Sequence, residues 1–147
     1  MGQSGRERQA VVTIKAAIKA KIESVSEVSA AGIVVYLGMA PQRKDYPYAV
    51  LNRVGPGQYG SDMGGREPWA REVYQLDLYH TNDETLETIR NAVIAAVHAQ
   101  GPVTWSTIKI YVALVTDGRD LTELEEASGE ESVCRHELEL TIKYEME

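Results

Sequence analysis

Residues 134–146, CRHELELTIKYEM, alternate without interruption. Leu138, Leu140, Ile142, Tyr144 and Met146 take the even positions, while Arg135, Glu137, Glu139, Thr141, Lys143 and Glu145 take the odd ones. Successive side chains of a strand point to opposite faces of its sheet. The stretch is therefore a strand with one packed face, and its other face is solvated or paired with another chain. That pattern fits a mostly antiparallel sheet covered on one side.

The other segments supply neighbours and a cover. In REVYQLDLYHT, Tyr74, Leu76 and Leu78 share one side, with Gln75 and Asp77 on the other. STIKIYVALV places Ile108, Ile110, Val112 and Leu114 on one face. GIVVYLGMAP and YAVLNRV are short β-branched runs bounded by glycines or by Pro47, which holds Tyr46 extended. Two helices complete the set. In residues 6–25, Val11, Ile14, Ile18, Ile22 and Val25 form a stripe away from Lys15, Lys19 and Lys21. Residues 81–102 open with Thr81 and Glu84 at capping-box spacing, carry Leu86, Ile89, Val93 and Val97 on one side, and stop at Gly101 and Pro102. The expected fold is α+β in the order α-β-β-β-α-β-β. Its sheet has four to five strands, two helices pack on one face, and long loops fall at about 55–70 and 117–132. The length of 147 residues suits a single domain over 1–147.

Charge and composition narrow the function classes. The net charge of −7 argues against a protein that grips nucleic acid through a basic face. A lone cysteine, Cys134, excludes an intramolecular disulfide and fits assembly in a reducing compartment. No stretch is long and apolar enough to cross a membrane as a helix. The start, MGQSGR, loosely fits a myristoylation signal but has Arg6 where Ser or Thr is wanted.

One motif invites a catalytic reading. Gly55, Gly57 and Gly60 have G-x-G-x-x-G spacing after an apolar run. A dinucleotide site needs a helix directly behind such glycines, so that its N-terminal amides hold the pyrophosphate. Here Gly64, Gly65 and Pro68 follow, which are poor helix formers. No Lys–Ser/Thr pair closes a phosphate loop either. The stretch reads as a long connector between antiparallel strands, and connectors of that length are usually functional or disordered. Tyr59, Met63, Arg66 and Trp69 are its candidate contact residues.

The remaining polar residues suggest no reaction. His80 and His136 sit in the apolar registers of their strands, so pairing of those strands would bring them together, with Cys134 nearby. Three ligands of suitable geometry would be needed for a metal, and histidines satisfied by the backbone are the simpler reading. His98 suits the negative end of its helix. Cys134 has no base beside it in the pattern and reads as a small buried hydrophobe. The acidic run from Asp117 to Glu131 lacks the spacing of a calcium loop. It reads as a solvated loop or as an electrostatic partner for a neighbouring subunit, with Asp120, Glu123, Glu125 and Glu126 as candidate contacts. No catalytic, cofactor or metal site is expected, and the chain reads as an assembly subunit rather than an enzyme.

The layout also carries a family resemblance. GIVVYLGMAPQRKDYPYAVLNRVG, a Gly-rich gap, and WAREVYQLDLYHTNDETLETIRNAVIAAV are together similar to the tail-completion proteins of long-tailed bacteriophages, which include tail terminators and minor tail proteins. The shared parts are a Pro-Tyr-aliphatic strand at Pro47–Val50, an aromatic-x-Leu-Asp-x-Tyr strand at Tyr74–Tyr79, and a short turn into the second helix. The resemblance implies a virion protein at the head-proximal end of the tail, assembled in the host bacterial cytoplasm. It implies a homo-oligomeric ring, commonly hexameric, that ends tube polymerisation. Its implied partners are other copies of itself, the tail tube protein and the head-tail connector or neck proteins. Genomic DNA passes through the lumen without specific binding, and no membrane is involved. The alternatives are a neck connector subunit and, in another class, a small nucleotide- or ligand-binding enzyme using the Gly-rich loop.

Overall fold

The computed structural model describes residues 13–40, 45–61, 68–124 and 132–146. Its centre is the pairing of β3 (Pro68–His80) with β6 (Ser132–Glu145), antiparallel from Trp69↔Glu145 to His80↔Cys134. The period-two patterns of the two segments are in phase. Tyr74 faces Leu140, Leu76 faces Leu138 and Glu72 faces Ile142 on one side of the sheet, while Gln75 faces Glu139 on the other. A slip of one residue would turn every apolar side chain to the wrong face, so the register is firmly set.

The sheet has six strands in the order β1-β2-β3-β6-β5-β4. β2 (Tyr48–Ser61) lies antiparallel to β3, and β1 (Val35–Leu37) lies parallel to β2. On the other side β5 (Ile108–Leu124) and β4 (Val103–Trp105) continue antiparallel from β6. The α+β class is as expected, but the strand count exceeds the expected four to five and one strand pair is parallel.

β4 escapes sequence reading because its hairpin turn is unusual. Ser106 and Thr107 take φ of 47° and 75°, the positive values of a two-residue hairpin turn, without the Asn-Gly that normally signals one. The expected long loops also shrink. β2 runs through Ser61 and β3 begins at Pro68, while β5 runs through Leu124 and β6 begins at Ser132. Residues 55–61 and 68–70 of the first stretch, and 117–124 and 132 of the second, belong to strands.

The helices are α1 (Ile14–Glu23), a short α2 (Ser26–Ala30) that sequence periodicity does not resolve, and α3 (Asp83–Val97). Thr13 caps α1, its hydroxyl accepting the Ala16 N–H at 3.1 Å. Ala17, Ile18 and Ile22 point inward from α1, and Leu86, Ile89, Val93 and Val97 from α3. They join Leu51, Tyr74, Leu76, Leu78, Leu138, Leu140 and Ile142 in one hydrophobic cluster. The expected capping box at Thr81 is displaced by one residue: Asn82 is the N-cap, and its side chain accepts the Thr85 N–H at 2.8 Å.

β5 departs from simple alternation. Its register to β6 shifts between Ile110 and Val112. Past that bulge Ala113 is buried and Leu114 is exposed, so Val112 and Leu114 leave the face they would share with Ile108 and Ile110. Cys134 is buried, as expected of a small apolar side chain.

Candidate functional site

Each glycine of the G-x-G-x-x-G string has its own structural role. The register between β2 and β3 jumps from Val54↔Val73 to Gln58↔Arg71, so residues 55–57 oppose Glu72 alone. Gly55 turns this bulge with φ of 74°, a value an L side chain rarely adopts. Gly57 and Gly60 leave room for neighbours. A Cβ on Gly57 would lie 2.5 Å from the Tyr59 hydroxyl, and one on Gly60 would lie 2.8 Å from Cζ2 of Trp69. Among the described residues these glycines lie within β2, which pairs with antiparallel β3, and not ahead of a helix as a pyrophosphate site requires.

The bulge encloses a polar cluster around Glu72. This residue occupies the apolar register of β3 and is only 5% exposed. Tyr74 Oη donates to Glu72 Oε1 at 2.5 Å, and Tyr144 Oη reaches the same oxygen at 3.3 Å. Oε2 accepts from Tyr59 Oη at 3.0 Å and pairs with Arg53 Nη1 at 3.2 Å. Both carboxylate oxygens are thereby occupied, which is what a buried charge requires. Burial, followed by the Glu72 hydrogen bond and charge, pushes the Tyr74 phenol far above its ordinary pKa. Burial, followed by the Glu72 charge, pushes Tyr144 up to about 12. The Glu72 charge also raises the exposed Arg53 guanidinium. The cluster ties the outer half of β2 to the centre of the sheet. Thr13, Ile14 and Lys15 of the α1 start border it across a surface hollow of about 530 Å³.

The face away from the helices carries aromatic and charged ladders. Tyr46 stacks on Tyr48 at 5.4 Å and Tyr48 on Tyr79 at 4.8 Å, with Tyr36 edge-on to Tyr48. Arg135 extends this row over Tyr79 and pairs with buried Asp77 at 3.3 Å. Burial disfavours the Arg135 charge, but Asp77, Tyr79 and Glu137 together outweigh that loss and its pKa is raised. At the opposite end, Lys143 Nζ sits 4.7 Å above the Trp69 ring and 5.9 Å from that of Tyr111.

The expected contact residues are distributed as follows. Tyr59 and Trp69 belong to the paired arm formed by β2 and β3, on opposite faces: Tyr59 lies opposite Ala70, and Gly60 opposite Trp69. Tyr59 is 54% exposed even though its hydroxyl reaches Glu72. Met63 and Arg66 fall outside the described residues. Asp120 and Glu123 lie in β5, opposite His136 and Val133; Glu125 and Glu126 fall outside the described residues.

The histidines do not converge on a shared centre. His80 pairs in register with Cys134, and its Nδ1 accepts the Asn82 N–H at 2.9 Å, the backbone partner expected. Burial lowers its pKa. His136 Nε2 instead lies 3.0 Å from Asp83 in the first turn of α3. His98 Nδ1 accepts the Val115 N–H at 3.3 Å. Among the described residues no group of three potential metal ligands occurs. Sequence reading missed the Glu72 cluster, although a signal was present: Glu72 lies two residues before Tyr74 and so shares its inward face.

The model of the family described as tail completion protein gp17 matches residues 8–127. The chain belongs to this family. The match spans α1 to β5, including the β2–β3 arm, and stops short of β6. Among solved structures, a chain from the virion of a native gene transfer agent particle is 15% identical. The alignment covers 92% of this chain and 100% of that one, with a TM-score of 0.56, which is a likeness of fold. A second solved chain is 12% identical over 90% of this chain and 95% of its own, with a TM-score of 0.48. No curated protein matches. The tail completion family membership agrees with the resemblance carried by Pro47–Val50 and Tyr74–Tyr79.

Proposed function

We propose that this tail completion protein is a non-catalytic virion component that caps the head-proximal end of the phage tail tube as a homo-oligomeric, hexameric ring. The ring ends tube growth and joins the tail to the head. Its partners are its own copies, the tail tube protein and the connector or neck proteins. One domain over 1–147 serves each copy. The family match over residues 8–127 carries this reading.

Physical features support it. A ring repeats one heterologous contact until it closes. A capping ring also needs two unlike axial faces, one fitted to the tube and one that the tube cannot extend. The β2–β3 arm carries Tyr59 and Trp69, and the sequence places Met63 and Arg66 between its strands and the acidic residues Asp120, Glu123, Glu125 and Glu126 elsewhere, two stretches of unlike chemistry suited to those contacts. The net charge of −7 suits a conduit through which DNA passes without being held.

The test is tail length in particles assembled without the protein. Capping predicts tubes of irregular, extended length that fail to join heads. Tails of normal, uniform length that merely lack heads would assign the chain to the neck instead and would refute capping.

A further inference from the structure

The registers of the six strands can be followed across the whole sheet, and they show that its two edges are stepped in complementary ways. On one edge β1 projects beyond β2 only beside residues 49–51, and among the described residues no strand pairs with that side of β2 from Asn52 to Ser61. On the other edge β4 projects beyond β5 only beside residues 108–110. Ala99 bridges Ala113 and His98 takes the Val115 N–H, and among the described residues no strand pairs with the outer side of β5 from Thr116 onward.

The projection on each edge lies level with the recess on the other. Val35 of β1 continues through Ala49, Leu78 and His136 to Asp120 of β5. Leu37 continues through Leu51, Leu76 and Leu138 to Asp117. Val103 of β4 continues through Ile110, Tyr144 and Ala70 to Tyr59 of β2. A second copy set beside the first would place its β1 in the β5 recess, while the β4 of the first filled the β2 recess of the second. Strand directions agree: the β1–β5 contact is antiparallel and the β4–β2 contact parallel.

Exposed apolar side chains gather at the same places. Among the described residues the exposed large hydrophobics are Val34, Leu37 and Met39 around β1, Val103 on β4, Tyr59 in the β2 recess, Leu114 where β5 becomes an edge, and Tyr46. Proteins normally guard open edges with lysines or prolines, or by covering them. Residues 34–39, VVYLGM, contain neither. Among the described residues, Glu23 guards this edge at Val35, whose outward N–H it accepts at 2.9 Å.

We infer that the occupant of each edge is a second copy of this chain, and that the β1 and β2 edge of one copy joins the β5 and β4 edge of the next into a continuous sheet. This rests on the ring reading above and specifies its interface. The contact is heterologous, and such contacts close into rings or run on as filaments according to the rotation at each step. Strand addition supplies main-chain hydrogen bonds, and the exposed apolar residues supply fit.

The test is a Tyr59→Cys/Val103→Cys double variant, oxidised and run on a non-reducing gel, with each single variant and the wild type as controls. Within one copy the two positions are four strand steps, about 19 Å, apart. A disulfide needs Cα atoms within about 7 Å, so any bond between them must join two copies. The expected result is a ladder of covalent multimers ending at the mass of the wild-type oligomer measured by native mass spectrometry. Leu37→Lys should shift that oligomer to monomer while leaving the melting temperature within about 2 °C of wild type, as for other surface changes.

A wild-type oligomer whose double variant gives no ladder, or a Leu37→Lys protein that assembles normally, would overturn the edge pairing and leave the ring standing. A wild type that stays monomeric alone and with purified tail tubes would overturn the ring, and the edge pairing with it.

Discussion

Replacing Glu72 with alanine tests whether the arm is held by its buried carboxylate. Three phenols and one guanidinium converge on this side chain. Their losses differ. Arg53 and Tyr59 are exposed and rehydrate when the carboxylate is gone. Tyr74 is 1% exposed and loses the acceptor it holds at 2.5 Å. A buried donor left without a partner costs about 1–3 kcal/mol, and a hydrogen bond to a charged group contributes about 1.5–3 kcal/mol. Because these describe overlapping parts of one interaction, with a small addition from half-buried Tyr144, the expected destabilisation of Glu72→Ala is about 2–4 kcal/mol. For a chain of this size, each kcal/mol lowers the melting temperature by about 2–4 °C. Urea denaturation followed by circular dichroism, with the slope checked for constancy, measures the loss. A Tyr74→Phe change in the same background removes the orphaned hydroxyl and should recover about 1 kcal/mol or more, because deleting both partners costs less than deleting one. A loss below about 0.5 kcal/mol for Glu72→Ala, or no coupling to Tyr74→Phe, would refute the view that this cluster fastens β2 to the core.

Four further predictions follow from single features. The pKa values of Tyr74 and Tyr144 are raised in the folded state, so the stability they contribute is full below pH 10. It is lost as pH rises through about 12 for Tyr144 and at still higher pH for Tyr74; an alkaline melting series should show this fall, and Tyr144→Phe should flatten the part near pH 12. Gly60→Val drives a side chain into the Trp69 ring and should cost about 1–3 kcal/mol with altered tryptophan fluorescence. Asn82→Ala removes the α3 cap and should cost about 1 kcal/mol in thermal denaturation. Trp69→Ala, which also frees Lys143, should weaken assembly on tail tubes in a sedimentation assay more than it lowers the stability of the isolated chain.

The sheet was legible wherever strands alternate strictly. Residues 134–146 and 71–80 show their inward faces directly, and the structure pairs them in phase. Legibility ended where the backbone breaks alternation. The bulge after Ile110 turns Val112 and Leu114 away from the face their spacing suggests, because one extra residue reverses a period of two. β4 was hidden by a turn whose positive φ angles fall on Ser106 and Thr107 rather than on glycine or asparagine. The second half of β2 was hidden by its glycines, which resemble a loop in composition but serve a bulge and two close approaches. At the candidate site, Tyr59 and Trp69 were legible as aromatics in a polar stretch. Glu72 was not singled out, because a carboxylate in a strand is usually solvated and only the partners beyond its own strand show otherwise.

The place of β6 has a consequence for how the sheet forms. This strand follows every other element in sequence, yet it lies between β3 and β5 in the middle of the sheet. Without β6, strands β1 to β3 and strands β4 and β5 have, among the described residues, no direct strand pairing with each other. Joining them requires partners far apart along the chain, such as His80 and Cys134, and such pairings form slowly. The complete sheet therefore waits on this slow pairing, and until it forms the facing margins of β3 and β5 are open to aggregation.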